Sequence, residues 1–307
     1  MKYFVFLLFA FSFSASDLLP YHSNAICYGP FRDGQGPGVS NPTREEIRQD
    51  LVIMAKYWSV IRMYGARGST EIVLDVIKKE KINLKLYLGA WIADERKDST
   101  SKLSNIDEIN KTIELSNEYP NIVEAIIIGN ETQVFWTSNK VDYSTLRKYI
   151  HKVKSKTNQP ITTADDFNFW NKPEGISLAK ELDFLMLHIH PLWAGTQLNG
   201  AVPFVSKIYN EIVDFNPKIK IIIGETGWAT KVHNKGEQAK LIKGSAGINE
   251  QLIFYKDISK WSLENNVTTF FFEAFDEKWK GGEHPNEVEK HWGLIYSNRM
   301  PKHTQFK

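Results

Sequence analysis

Ile126-Ile127-Ile128-Gly129-Asn130-Glu131 and Ile221-Ile222-Ile223-Gly224-Glu225-Thr226-Gly227-Trp228 are the two stretches that decide the reading of this chain. Each is a β-branched run, then a glycine, then a carboxylate. A strand buried on both faces reads as a continuous apolar run rather than an alternating one. A carboxylate at the end of such a run emerges at the rim of the sheet, where α/β proteins place their chemistry. Two acids at two such rims are the residue set for acid/base and nucleophilic work on a sugar bond.

Six further apolar runs flank these two. All eight are Ala25–Tyr28, Val60–Tyr64, Leu84–Leu88, Ala125–Ile128, Ile161–Ala164, Phe184–His188, Ile219–Ile223 and Thr268–Phe272. Helical patterns lie between them, at Thr43–Tyr57, Glu71–Lys81, Asn105–Tyr119, Ser144–Thr157, Pro203–Phe215 and Asn249–Glu264. The first opens on Thr43-Arg44-Glu45-Glu46, the signature of a capping box. Repeated strand-helix units imply a parallel sheet. Eight of them predict an α/β chain folded as a single (β/α)8 TIM barrel. No Gly-rich phosphate fingerprint follows the first run, which argues against a dinucleotide-binding sheet.

The composition agrees. The chain has 307 residues, 42% hydrophobic and 24% charged, the balance of an ordinary globular domain. A net charge of +2 argues against a dedicated nucleic-acid binder. Met1-Lys2, the apolar run Tyr3–Phe13 and the small residues Ser14-Ala15-Ser16 read as a signal peptide over residues 1–16. The apolar run falls short of the roughly 20 residues of a membrane span. An uncleaved membrane anchor is the competing reading. Residues 17–307 then form one domain, with no linker inside them. Cys27 is the only cysteine, so no internal disulfide forms and stability must come from the core. In a strand, Cys27 reads as a small buried apolar residue.

In this count Glu131 ends the fourth strand and Glu225 the seventh. Three steps around an eight-membered ring put the two side chains across the barrel mouth from each other. Retention of configuration needs carboxyl groups about 5–5.5 Å apart, and inversion about 6.5–9.5 Å. Asn130, beside the first acid, can hydrogen-bond a sugar hydroxyl next to the reacting carbon, a bond that strengthens in the transition state.

On these residues the chain resembles glycoside hydrolase family 17, the β-1,3-glucanase family within a clan of retaining barrel glycosidases. The marks are Tyr28-Gly29-Pro30-Phe31, Arg62-Met63-Tyr64-Gly65, Gly129-Asn130-Glu131, Gly224-Glu225-Thr226-Gly227-Trp228, and the run Phe272-Glu273-Ala274-Phe275-Asp276-Glu277-Lys278-Trp279-Lys280. The resemblance covers nearly the whole mature chain. It implies Glu131 as acid/base, Glu225 as nucleophile, and auxiliary roles for Glu277 and Lys280. Lys280 beside carboxylates would hold Glu225 ionised. Glu273 and Asp276 are either structural or at the site. Tyr28, Arg62 and Tyr64 are expected to line the floor of the glycone side. For Arg62 the alternative is a structural pairing with a core carboxylate.

Aromatic side chains near strand ends are candidate sugar platforms: Trp91, Trp136, Trp170, Trp193, Trp228 and Trp279, with Trp228 and Trp279 foremost. One departure stands in His188-Ile189-His190-Pro191. His190 occupies the place where many relatives carry a Tyr that touches the nucleophile. An imidazole there donates to Glu225 with a charge that depends on pH near neutrality. His-x-His on a strand end also points both rings the same way, the spacing of a metal pair. With Asp165, Asp166 and Asp276 nearby, that is the rival metallohydrolase reading.

The leading expectation is therefore a secreted or periplasmic retaining hydrolase of β-1,3-glucan. It needs no cofactor or metal and takes a polysaccharide or oligosaccharide as its partner. It is expected as a monomer, without nucleic acid and without membrane insertion once the signal is removed. A β-1,3-glucanosyltransferase with the same site, or a catalytically silent glucan-binding barrel, are the remaining alternatives.

Overall fold

The computed structural model describes residues 19–306; the signal-peptide reading of residues 1–16 lies outside them. Eight parallel strands close in sequence order, β1 (Ala25–Cys27), β2 (Val60–Met63), β3 (Lys85–Ala90), β4 (Val123–Asn130), β5 (Ile161–Asp166), β6 (Leu185–His188), β7 (Ile221–Thr226) and β8 (Thr269–Phe271). β8 pairs back onto β1 through Ala25–Phe270 and Ile26–Phe271. The single (β/α)8 TIM barrel expected from the eight apolar runs is the fold.

Among the described residues nine α-helices surround it: α1 (Arg44–Met54), α2 (Thr70–Glu80), α3 (Ser101–Glu118), α4 (Tyr143–Lys154), α5 (Phe167–Trp170), α6 (Pro173–Ala179), α7 (Leu198–Phe215), α8 (Gly236–Leu241) and α9 (Ile248–Asn265). The capping box at α1 forms as its sequence predicts. Thr43 Oγ1 accepts from Glu46 N at 3.2 Å, and Glu46 Oε2 accepts from Thr43 N at 2.7 Å. The short α5, α6 and α8 escape a periodicity reading, because one or two turns carry too few apolar repeats. α7 starts at Leu198, ahead of Pro203, which sits inside the helix. A proline near a helix start forfeits only one backbone bond there, so it did not mark the boundary.

Inside the barrel Tyr87 packs on Phe270 and Phe184, with ring centroids 5.0 and 6.1 Å apart. His22 closes the amino-terminal end. Its ring meets Tyr87 edge-on and its Nε2 lies 2.5 Å from Glu124 Oε1. Cys27 is fully buried against Gly224 O, and burial pushes its thiol up to about 12. Asn130, Asp165, Asp166, His188 and Glu225 stand at the opposite, carboxyl end of the strands.

Candidate active site

The glycines Gly129 and Gly224, ahead of the two acids, have a mechanical reason. Gly129 adopts φ +80°, in the left-handed region that glycine enters at no steric cost. Glu131 follows at φ 45°. The pairing register of β4 with β5 shifts between Ile127 and Asn130, so the chain turns as it leaves the barrel and aims Glu131 over the mouth. At Gly224 a Cβ would lie 2.4 Å from Met186 Cγ and 3.2 Å from Arg62 Nη1. A side chain there would collide with Met186 and crowd Arg62, which donates to the Gly224 carbonyl at 2.8 Å.

Glu225 is buried, with 7% of its side chain exposed. Its Oε1 accepts from Tyr64 Oη at 2.9 Å and Arg62 Nη1 at 3.1 Å, and lies 3.5 Å from His188 Nε2. Its Oε2 meets His190 Nε2 at 3.2 Å. Burial by itself raises this carboxyl. The positive surroundings of His188, Arg62 and His190 more than reverse that and hold it well below the ordinary carboxylate range. Glu225 is thereby kept ionised, with two donors on one oxygen.

Glu131 is more open, with 31% of its side chain exposed. Its Oε1 lies 2.8 Å from His188 Nδ1. His188 is fully buried between the two acids, and its other nitrogen meets Arg62 Nη1 at 2.9 Å. Nδ1 is thus the nitrogen that faces Glu131, and Nε2 is shared between Arg62 and Glu225. Arg62 Nη2 donates to Asn130 Oδ1 at 2.5 Å, which leaves the amide NH2 of Asn130 as its free face. Facing oxygens of Glu131 and Glu225 lie within 4.8 Å of each other. The two acids are thus close enough to flank one bond.

Asp165, at the end of β5, pins the segment after Glu131. It accepts from Gln133 N at 2.7 Å and Val134 N at 3.1 Å. Burial first, and the Glu131 charge second, push its carboxyl up to about 8.

A second polar cluster rises from the segment after β8. Lys280 Nζ lies 2.7 Å from Glu273 Oε2 and 2.7 Å from Glu277 Oε2. Burial opposes the Lys280 charge, but these two acids outweigh it and raise the ammonium well above its usual value. Burial also pushes the Glu273 carboxyl well upward, against Lys280. Trp279 Nε1 donates to Glu277 Oε1 at 3.0 Å, and its indole stays 43% exposed. Trp193 Nε1 donates to Glu289 Oε1 at 3.1 Å. Burial raises the Glu289 carboxyl, with Lys280 and His190 opposing.

Several expectations are corrected by this geometry. Lys280 pairs with Glu273 and Glu277, and the cation on Glu225 is Arg62. Arg62 is itself buried and paired to Glu225, so it lines no open floor. Tyr28 is buried with its hydroxyl on Asp50 Oδ2 at 3.1 Å, away from the mouth. Trp228 is buried on Phe254 and donates to Ser245 O, and Trp170 is buried on β5 and β6 backbone. Neither can serve as a sugar platform, because a strand-end indole that finds a buried carbonyl for its N–H gains more by entering the core. Asp276 is tied to Lys302 Nζ at 2.7 Å and Gly293 N at 3.0 Å, below the site. Glu131, Asn130, Glu225, Tyr64 and His190 are brought together as one group. Glu273, Glu277, Lys280, Trp279 and Trp193 form the neighbouring one.

Two residues of the site were missed. His188 carried a signal, since His-x-His on a strand end points both rings inward, and its ring lies 6.5 Å from that of His190. Glu289 sits at a 3-10 turn far from any strand end and carried none. Among the described residues, Glu131, His188 and Glu225 are the acid and imidazole group able to share a cation. Arg62 already places a positive charge on two of those three, which disfavours a second cation there. Asp165 and Asp166 do not join it, Asp166 capping α5 through Asn168 N.

Residues 25–293 match the family described as the BtgE/BtgC glycoside hydrolase domain. A protein of Aspergillus niger assigned as a glucan endo-1,3-beta-glucosidase is 30% identical over 279 residues, which are 85% of this chain and 40% of that one. This chain thus spans about two-fifths of the length of the first curated relatives it matches. Among solved structures, an endo-laminarinase from Formosa superposes with a TM-score of 0.77 at 24% identity, over 92% of this chain and 84% of its own. A glycoside hydrolase family 17 beta-1,3-glucanosyltransferase from Rhizomucor miehei superposes with a TM-score of 0.71 at 24% identity, over 93% and 96%. At that identity the two structures establish the shared fold.

Proposed function

The chain belongs to the BtgE/BtgC glycoside hydrolase domain family, and from that premise we propose that it is a retaining hydrolase of the family 17 type, cleaving β-1,3-glucosidic bonds in β-glucans. The observation that carries the reading is the approach of Glu131 and Glu225 to within 4.8 Å. The names of the Aspergillus relative and of the two superposed structures support the linkage.

In the first step the ionised Glu225 attacks the anomeric carbon while the bond to the glycosidic oxygen breaks. Glu131 gives that oxygen its proton. A glycosyl ester on Glu225 and a free sugar hydroxyl result. In the second step water attacks the anomeric carbon, its proton passes to Glu131, and the ester bond to Glu225 breaks. Arg62 and Tyr64 keep Glu225 ionised and fixed, and take up its charge as it returns. His188 orients Glu131, and the free amide face of Asn130 binds a hydroxyl beside the reacting carbon. Trp279 offers an exposed indole, and Glu289, held by Trp193, offers acceptor oxygens to other hydroxyls.

Replacing Glu225→Ala is expected to lower hydrolysis of a laminari-oligosaccharide by at least about 10³-fold. Added azide is expected to restore turnover as an α-configured glycosyl azide, seen by NMR. A loss under about tenfold, or a β-configured azide, would overturn the covalent role. The reading extends to export as a monomer after removal of residues 1–16, which matches a targeting segment on a chain with one buried cysteine. Among the described residues no helix is long and apolar enough to cross a membrane. N-terminal sequencing of the exported protein should begin near Asp17; an intact Met1 would contradict export by cleavage.

A further inference from the structure

Glu289 reaches the mouth from a turn rather than from a strand end. The turn, Val288–Lys290, is a single 3-10 turn in the segment after β8. It holds itself by Lys290 N to Glu287 O and His291 N to Val288 O, both at 3.0 Å. So short a turn has few bonds of its own and depends on what grips it from outside. The grip comes from Gln238, which is 4% exposed and is the residue of α8 that is buried. Its Oε1 accepts from Val288 N at 3.1 Å and from His233 N at 3.3 Å. Those two backbone donors fix which end of the amide is the oxygen. Its Nε2 then donates to Glu287 Oε1, and His233 Nε2 lies 3.0 Å from Glu287 Oε2. Both oxygens of Glu287 are therefore held. His233 is itself fixed, with Nδ1 accepting from Lys235 N at 3.2 Å and its ring 4.2 Å from the His284 ring. Gly281, at φ +69°, lets the chain fold back onto the turn, since a Cβ there would lie 2.3 Å from Glu287 Cγ. A side-chain network with its members satisfied in this way is rigid and specifies one arrangement.

We infer that Gln238 and His233 are positioning residues for Glu289: they grip Glu287 and Val288, and so fix the turn from which Glu289 reaches over the mouth. The inference rests on the reading of Glu289 as an acceptor of sugar hydroxyls. Glu287 and Glu289 leave the turn on different sides, the first to the loop after β7, the second to Trp193 of the loop after β6. The loops after β6, β7 and β8 thereby become one wall. The Trp193 bond alone is a single contact on a loop carboxylate. A carboxylate that must meet a hydroxyl in one geometry needs its backbone fixed as well, and that is what the grip supplies. Without it the turn gains freedom, and each binding event must order it again.

Two variants break the grip from opposite ends. Gln238→Met keeps the buried volume and removes the bonds. Glu287→Ala acts at a partly exposed position and carries the test if the first variant does not fold. The first readout needs no substrate. The indole Nε1–H of Trp193, assigned by NMR through Trp193→Phe, is expected to shift and to exchange faster with solvent in both variants, as its bond to Glu289 loosens. The second is a double-mutant cycle on kcat/KM for laminarihexaose. Glu289→Gln, Gln238→Met and Glu287→Ala are each expected to lose about tenfold. Either grip variant combined with Glu289→Gln is expected to lose little more than Glu289→Gln alone. A role in stability alone would give additive losses, near a hundredfold. Additive losses, an unmoved indole, or no loss in Glu289→Gln would each overturn the inference. If the parent cleaves β-1,3-glucan while the indole stays in place, the grip fails and the glucanase reading stands. If the indole moves but the parent cleaves no β-1,3-glucan, the glucanase reading fails and the grip on Glu289 stands.

Discussion

Arg62 brings one positive charge into a buried space that also holds a carboxylate, an amide and an imidazole. Its contacts with Glu225 and Asn130 come from both opening motifs at once. Replacing Arg62→Ala leaves the Glu225 charge buried without its ion-pair partner, and a cost of about 3–5 kcal/mol is expected in chemical denaturation. The pH dependence has a definite sign. Glu225 lies below its ordinary value in the folded protein, so its stabilisation is present above the unfolded carboxylate value and is lost as pH falls toward the folded one. Without Arg62 the carboxyl rises, and the acid limb of kcat/KM moves to higher pH. An acid limb that stays in place would show that His190 and Tyr64 alone keep Glu225 ionised. His190 lies above its usual value because the Glu225 contacts outweigh its burial, so it stays charged further toward alkaline pH than a free imidazole. At this scale the two glutamates and Asn130 were legible, because a strand end announces itself by its apolar run. The partner of each acid was not. Lys280 and Arg62 are both cations at strand ends, and only their reach decides which one meets Glu225.

Among the elements, the strand ends were read within three residues and most long helices within a turn, but α3 starts four residues and α7 five residues ahead of the sequence reading. β-branched runs such as Ile221-Ile222-Ile223 have few other stable settings than a strand covered on both faces. The capping box of α1 is a local device and formed as written. α5, α6 and α8 were missed because their residues are set by what they pack against. Phe169 and Trp170 of α5 are buried as a lid on β5 and β6, a role their spacing alone does not reveal. The register shifts in β4 and β7 belong to this scale too. They turn the ends of two buried strands so that side chains of one sheet layer face the mouth.

For the molecule as a whole, closure depends on contacts between distant parts of the chain. Asp50, fully buried on α1, accepts from Arg299 Nε at 2.8 Å and Nη2 at 2.5 Å, from Arg32 Nη2 at 3.0 Å and from the Tyr28 hydroxyl. This clasp ties the C-terminal segment to the first strand and the first helix. Arg299→Ala is expected to cost about 3–5 kcal/mol in denaturant, with little change in the pH profile of activity, because it strands a buried carboxylate far from Glu225. A loss under about 1 kcal/mol would show that Arg32 and Tyr28 satisfy Asp50 without it.

The sequence by itself determined the eight-unit barrel and the rims on which the two acids stand. Apolar period and strand-end position are local properties that survive whatever the rest of the chain does. Only the tertiary structure decided the rest. It set the separation of Glu131 and Glu225, placed His188 between them, sent Tyr28 and Trp228 into the core, and left Phe135 and Trp136 in water. Those outcomes depend on side chains far apart in sequence competing for the same space and the same hydrogen-bond partners, and that competition is settled only when the barrel closes.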